Sequence, residues 1–234
     1  MKKEILIVPD VHGRNFWLPA LDYQGEVIFL GDYTDHYPQE DVTEEDAYQG
    51  LLKIVEFKRQ NPDRVTLLIG NHEMHYCERR FAAGRFDEDY YPKYHEILTG
   101  EETKGFFQIC KQVDKYLFIH AGIMKDWYDR HYNEFKDLGE TLEEQLTNVF
   151  FQKMRVYYEA SHYRGDWNDF GSPLWADYRE FGDEKEPFAP GIIQIIGHTQ
   201  LTTPEPMIKD NFWLLDNRQL YILRGDVLEK YAGN

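Results

Sequence analysis

The chain has 234 residues, enough for one domain with a full core. Hydrophobic residues make up 42% and charged residues 29%, a globular composition, and no apolar stretch approaches the roughly 20 residues needed to span a bilayer. Forty-two acidic against 26 basic side chains give a formal net charge of −16, which disfavours nucleic acid polymers and anionic membranes but not a small phosphate substrate, because bound cations reverse the local field.

In chain order, residues 5–8 form the first apolar run, too short for a signal peptide and broken by Pro9-Asp10. Further runs follow at residues 27–30, 65–69, 117–119 and 192–196. Each is continuous rather than alternating, the pattern of a strand buried on both faces. Runs at 212–215 and 220–223, separated by Asp216-Asn217-Arg218-Gln219, predict a terminal hairpin. Thr43 through Asp46 reads as a helix cap, followed by Ala47, Leu51, Ile54 and Val55 at helical spacing and a stop at Asn61-Pro62. A second capping box opens at Thr141, with Leu142, Leu146, Val149 and Phe150 on one face.

Strand and helix alternate in the first third, which predicts an α/β core in a single domain over 1–234. Aromatic-rich stretches at about 74–112 and 155–190 are too long for plain connections and read as inserts over one end of the sheet. Cys77 and Cys110 stand in no metal-ligand spacing, so a soluble cytoplasmic protein with reduced thiols is expected.

Five apolar runs end in polar motifs. The first ends in Asp10-Val11-His12-Gly13, whose spacing of two puts a carboxylate and an imidazole on one side of an extended segment. The second ends in Gly31-Asp32-Tyr33-Thr34-Asp35, where Asp32 has two oxygens with which to bridge two cations. The third ends in Gly70-Asn71-His72-Glu73: Asn71 offers a neutral carbonyl oxygen to a hard cation, His72 points elsewhere, towards substrate, and Glu73 caps a helix. His120-Ala121-Gly122 and Gly197-His198-Thr199 end the other two. Each motif alone is weak. Together they are expected to converge beyond the carboxyl ends of the strands. A mixed oxygen and imidazole set without thiolate suits manganese, iron or zinc.

The ordered motifs DxHG, GDxxD, GNHE, HAG and GHT resemble those of the calcineurin-like metallophosphoesterases, phosphoprotein phosphatase branch. The resemblance implies a four-layer α/β/β/α sandwich and a dinuclear metal centre. By position, it implies that Asp10, His12 and Asp32 hold one metal ion, and that Asp32 bridges to a second held by Asn71, His120 and His198. It makes His72 the general acid and Asp35 the carboxylate that orients it, and it matches Ser172-Pro173-Leu174-Trp175 to a segment near the site. The implied function is a phosphomonoesterase of serine/threonine-phosphatase type, acting on a phosphopeptide, nucleotide or small phosphoester. A dinucleoside polyphosphate hydrolase is the alternative, and an inactive binding scaffold the third reading. The chain departs from the pattern at His36, where the family carries an arginine that grips phosphate. Arg14, Arg79, Arg155, Arg164 and Arg179 are the candidate substitutes, each with a solvated surface role as its plain alternative. Arg179 leads, because it follows the Trp175 segment.

Overall fold

The structure is a computed structural model and describes residues 4–182 and 188–233. In chain order it contains β1 (Glu4–Val8), β2 (Glu26–Phe29), α1 (Glu44–Gln60), β3 (Val65–Leu68), α2 (Asn71–Cys77), α3 (Tyr91–Thr99), β4 (Phe107–Gln108), β5 (Cys110–Val113), β6 (Tyr116–Ile119), α4 (Lys125–Phe135), α5 (Leu142–Lys153), β7 (Ile193–Ile196), β8 (Met207–Ile208), β9 (Phe212–Leu214), β10 (Leu220–Arg224) and β11 (Val227–Tyr231). The fold is mixed α/β with two sheets. The chain divides into two compact units, Met1–Phe107 with Arg218–Asn234, and Gln108–Asn217.

In the first unit the sheet order is β11-β10-β1-β2-β3-β4. Strands β1, β2 and β3 are parallel neighbours, so their carboxyl ends lie side by side. Leu6, Ile7, Val8, Val27, Ile28 and Phe29 are wholly buried, as continuous apolar runs require. Burial of each such side chain contributes about 1.5–3 kcal/mol. Helix α1 starts at the Thr43–Asp46 capping box and buries Ala47, Leu51, Ile54 and Val55. Its last turn ends at Asn61, ahead of Pro62.

In the second unit the order is β5-β6-β7-β9-β8. Strands β6, β7 and β9 are parallel to one another. Helix α5 begins at the Thr141–Glu144 capping box and buries Leu146, Val149 and Phe150, while Leu142 is only half-buried.

The expected terminal hairpin does not form. The run at 212–215 gives β9, which pairs with β7 and β8, whereas the run at 220–223 gives β10, which pairs with β1 and β11. The segment between them carries the chain from one sheet to the other. The terminal hairpin instead joins β10 to β11 through a turn at Gly225, whose φ is +63°. Strand β11, at the sheet edge, has only exposed and half-buried residues, and so lacks the continuous apolar signature of the others.

The stretch at 74–112 is structured rather than a plain loop: it contains the end of α2, all of α3, strand β4 and most of β5. Within 155–190, short 3-10 turns occupy Met154–Tyr157, His162–Arg164 and Tyr178–Phe181, and positions 183–187 lie outside the described residues.

Candidate functional site

The first three motifs leave β1, β2 and β3 at adjacent carboxyl ends and are stitched to each other by backbone hydrogen bonds. The amides of Val11 and His12 both donate to the Asp32 carbonyl, at 3.0 and 2.7 Å. Glu73, buried in the first turn of α2, accepts the amides of Asp32 (2.8 Å), Tyr33 (2.8 Å), Thr34 (3.2 Å) and Gly70 (2.9 Å). Its carboxylate therefore caps its own helix and fixes the second loop against the third. Gly31 and Gly70 allow this closeness. A Cβ on Gly31 would lie 2.6 Å from the Gly70 nitrogen, and one on Gly70 would overlap the Asp32 carboxylate. Backbone strain gathers in the same loops: His12, Asp32 and Asp35 take φ of +45°, +53° and +58°. Each such residue costs about 1–3 kcal/mol, which the surrounding hydrogen bonds must offset.

His12 and Asp32 face each other in the core of this loop cluster. His12 Nδ1 donates to the Thr34 carbonyl at 2.8 Å, which leaves Nε2 with its lone pair, 3.4 Å from Asp32 Oδ2. Burial lowers the His12 pKa despite the opposing pull of Asp32, so the ring is held neutral. Two electron-pair donors, both nearly inaccessible to solvent, thus point at one another. A divalent cation satisfies such a pair, and Thr34 holds the ring in the orientation that a ligand needs. His12, Asp32 and His72 present ligand atoms within 4.8 Å of one another. Asp10, in the loop after β1, and Asn71, the first residue of α2, are also buried.

Asp35 is a second focus of this unit. Its Oδ2 lies 2.6 Å from His72 Nδ1 and 2.7 Å from His75 Nε2, and its Oδ1 accepts from the Tyr76 hydroxyl at 2.5 Å. Burial pushes the carboxyl up, but the hydrogen bond from His72, the close approach of His75 and the charge of the two rings outweigh it and hold Asp35 far below the usual range. The reciprocal holds for His72: burial lowers it, and Asp32 and Asp35 more than offset that, so its pKa is raised. His75 and Tyr76 belong to none of the five motifs. Their spacing from His72, three and four residues along one helix, was the available signal.

In the second unit, His120 and His198 follow the parallel strands β6 and β7. The Gly197 amide donates to the His120 carbonyl at 2.8 Å, and His120 Nε2 lies 3.1 Å from His198 Nδ1. His198 is a further left-handed residue, with φ of +67°. The 172–175 segment reaches this pair: the Ala121 amide donates to the Pro173 carbonyl at 3.0 Å, and the Trp175 ring meets His198 edge-on at 6.0 Å.

Each arginine singled out as a phosphate grip is engaged with a carboxylate. Arg179 forks onto buried Asp177 at 2.6 and 3.0 Å, Arg164 meets the same carboxylate at 3.0 Å, and Arg14 forks onto Glu40 at 2.7 and 3.0 Å. Arg79 pairs with Glu88 and Arg155 with Glu134, both on the surface. His36 Nδ1 lies 3.0 Å from Glu44. A different residue stands beside the catalytic histidine candidate. Arg85 Nη2 lies 3.5 Å from His72 Nε2 and 3.3 Å from His12 Nδ1. No local pattern in the sequence marks Arg85.

The calcineurin-like phosphoesterase family model matches residues 4–227. Several solved structures share the fold. A point mutant of a cold-active protein tyrosine phosphatase is 16% identical with a TM-score of 0.64, covering 98% of this chain and 78% of that one. The cold-active protein-tyrosine phosphatase of a psychrophile Shewanella species is 14% identical, with a TM-score of 0.60, covering 98% and 80%. A protein serine/threonine phosphatase from Saccharomyces cerevisiae is 14% identical, with a TM-score of 0.57 and the same coverage. No curated protein matches the sequence.

Proposed function

Because the chain belongs to the calcineurin-like phosphoesterase family, and so to a class of hydrolases with phosphorylated substrates, we propose that it is a metal-dependent phosphomonoesterase of serine/threonine-phosphatase type. The observation that carries this reading is the His72–Asp35 contact set beside the buried His12–Asp32 pair, with the His12 and His72 rings 5.0 Å apart. Asp10, His12 and Asp32 are the proposed ligands of one cation. Asp32 is the proposed bridge to a second, with Asn71, His120 and His198 as its other ligands. Manganese is the favoured ion, with iron or zinc as alternatives, because the donors are oxygen and imidazole without thiolate.

Cations bound there supply Lewis acidity, which lowers the pKa of water to roughly 7 and neutralises charge on phosphoryl oxygens. The protein's own residues do the rest. Asp35 accepts the His72 Nδ1 proton in a hydrogen bond and fixes the ring, so that Nε2 faces away from Asp35 and towards Arg85. Protonated at Nε2, the ring delivers that proton to the departing alkoxide. The low Asp35 pKa and the raised His72 pKa both favour the charged imidazolium that this step needs.

The test is a substrate panel with added manganese. Turnover of p-nitrophenyl phosphate, and of phosphoserine or phosphothreonine peptides ahead of dinucleoside polyphosphates, is the expected result. A folded, metal-loaded protein without turnover overturns the reading. The reverse order of preference moves the assignment to a dinucleoside polyphosphate hydrolase.

A further inference from the structure

We infer that Arg85, carried on the segment between α2 and α3, is the guanidinium that binds the phosphoryl oxygens of the substrate in this chain. The inference rests on the phosphoester hydrolase reading for its substrate, but its geometry stands independently.

A guanidinium has five N–H donors and no acceptor. In Arg85 one donor is well used: Nε donates to the Asp35 carbonyl at 3.0 Å. Nη2 lies 3.3 Å from His12 Nδ1, but that nitrogen already gives its proton to Thr34, so donor faces donor. The other neighbour, His72 Nε2, is at 3.5 Å, the outer limit of a hydrogen bond. Nη1 makes no hydrogen bond, and no carboxylate pairs with Arg85, among the described residues. In a chain of net charge −16, a half-buried arginine beside two imidazoles and without a counter-anion is an unbalanced positive site. The matching ligand is an anion with several acceptor oxygens. A phosphoryl group has them, and it meets Arg85 as a fork.

The segment is built to hold the guanidinium still. Gly84 takes φ of +62°, and a Cβ there would be only 3.9 Å from His72 Cε1, so the chain turns directly beside the ring. Phe86 then stacks on Tyr76 with ring centroids 5.1 Å apart and meets His75 edge-on at 5.1 Å. The Asp87 amide donates to the Tyr76 hydroxyl at 2.9 Å. The Arg85 guanidinium lies over the Tyr37 ring at 3.8 Å, a cation–π contact that orients its plane while leaving donors unused. The residues that organise Asp35 therefore also anchor Arg85, which places an anion grip next to the proton donor.

The test measures binding of inorganic phosphate by calorimetry to the manganese-loaded protein and to R85A and R85K, with melting temperature and metal content recorded for each. R85A is expected to weaken phosphate binding about ten- to hundred-fold, the loss of charge-assisted hydrogen bonds. R85K, which keeps the charge without the fork, should fall between. If R85A does not fold, R85K decides, with about a five-fold or greater loss expected from the missing fork. Phosphate affinity unchanged from wild type in the folded variant overturns the inference, and so does a wild-type protein that binds no phosphate. Turnover of p-nitrophenyl phosphate by wild type is scored separately. Its absence alongside Arg85-dependent phosphate binding would sink the phosphatase reading and leave the anion site standing.

Discussion

His72 Nδ1 and Asp35 Oδ2 lie 2.6 Å apart, and Asp35 shares that oxygen with His75 while its other oxygen takes the Tyr76 hydroxyl. One fully buried carboxylate thus fixes three side chains of α2, and through Tyr76 it also fixes the segment bearing Arg85. These contacts tie the helix to the loop after β2 and set the direction of His72 Nε2.

His72→Asn should lower kcat by about 10²–10⁴, the usual contribution of a positioned proton donor. The loss should be larger for alkyl phosphates than for p-nitrophenyl phosphate, whose leaving group needs little protonation. Steady-state kinetics on both substrates, with metal content by elemental analysis, check this. Equal losses on the two substrates, or loss of metal, would remove His72 from the role of acid.

Asp35→Asn should flatten the acid limb of stability. The folded Asp35 carboxyl binds its proton far more weakly than an unfolded one near pH 4, so the unfolded state takes up more protons as pH falls. The stability that this group contributes is complete above roughly pH 5 and drains away below roughly pH 4. Melting temperatures of wild type and D35N between pH 3 and 7 should converge at the acid end and separate towards neutral pH. A constant gap across the range counts against the assignment.

Gly70→Ala should cost both stability and metal. Its Cβ would overlap Asp32 Oδ1 and sit 2.6 Å from the Asp32 amide nitrogen, so the proposed bridging ligand must move. Asp32→Asn should leave the backbone in place yet lower the occupancy of both proposed ions. Elemental analysis of the two variants separates displacement from loss of charge. Full metal content in D32N would end the bridging assignment.

Glu73→Gln should destabilise the fold by roughly 2–5 kcal/mol, because the amide nitrogen cannot accept the buried N–H groups that one carboxylate oxygen now takes. Urea unfolding measures this. A change below about 0.5 kcal/mol would show that the loops after β2 and β3 do not depend on this carboxylate.

The sequence alone determined what is written in short windows. Largely apolar runs marked β1, β2, β3, β6 and β7, because burial on both faces favours apolar side chains along the strand, and the one buried polar exception, Gln194 of β7, is satisfied by the Ile123 backbone. Two Thr-led capping boxes marked the starts of α1 and α5. The motif residues of the first three loops were legible because their chemistry follows each strand directly. Only the tertiary structure decided the pairing of β9 and β10 into different sheets, since two adjacent apolar runs look the same whether or not they share a ladder. It also decided that Glu73 gathers amides some forty residues away, and that Arg85 stands against His12, 73 positions earlier in the chain. Contacts at that separation depend on where the loops lie in space, and no local periodicity or propensity encodes them. The His72–Asp35 pair combines both kinds of information: its two motifs are local, but its geometry is set by α2 packing against a loop 37 residues away.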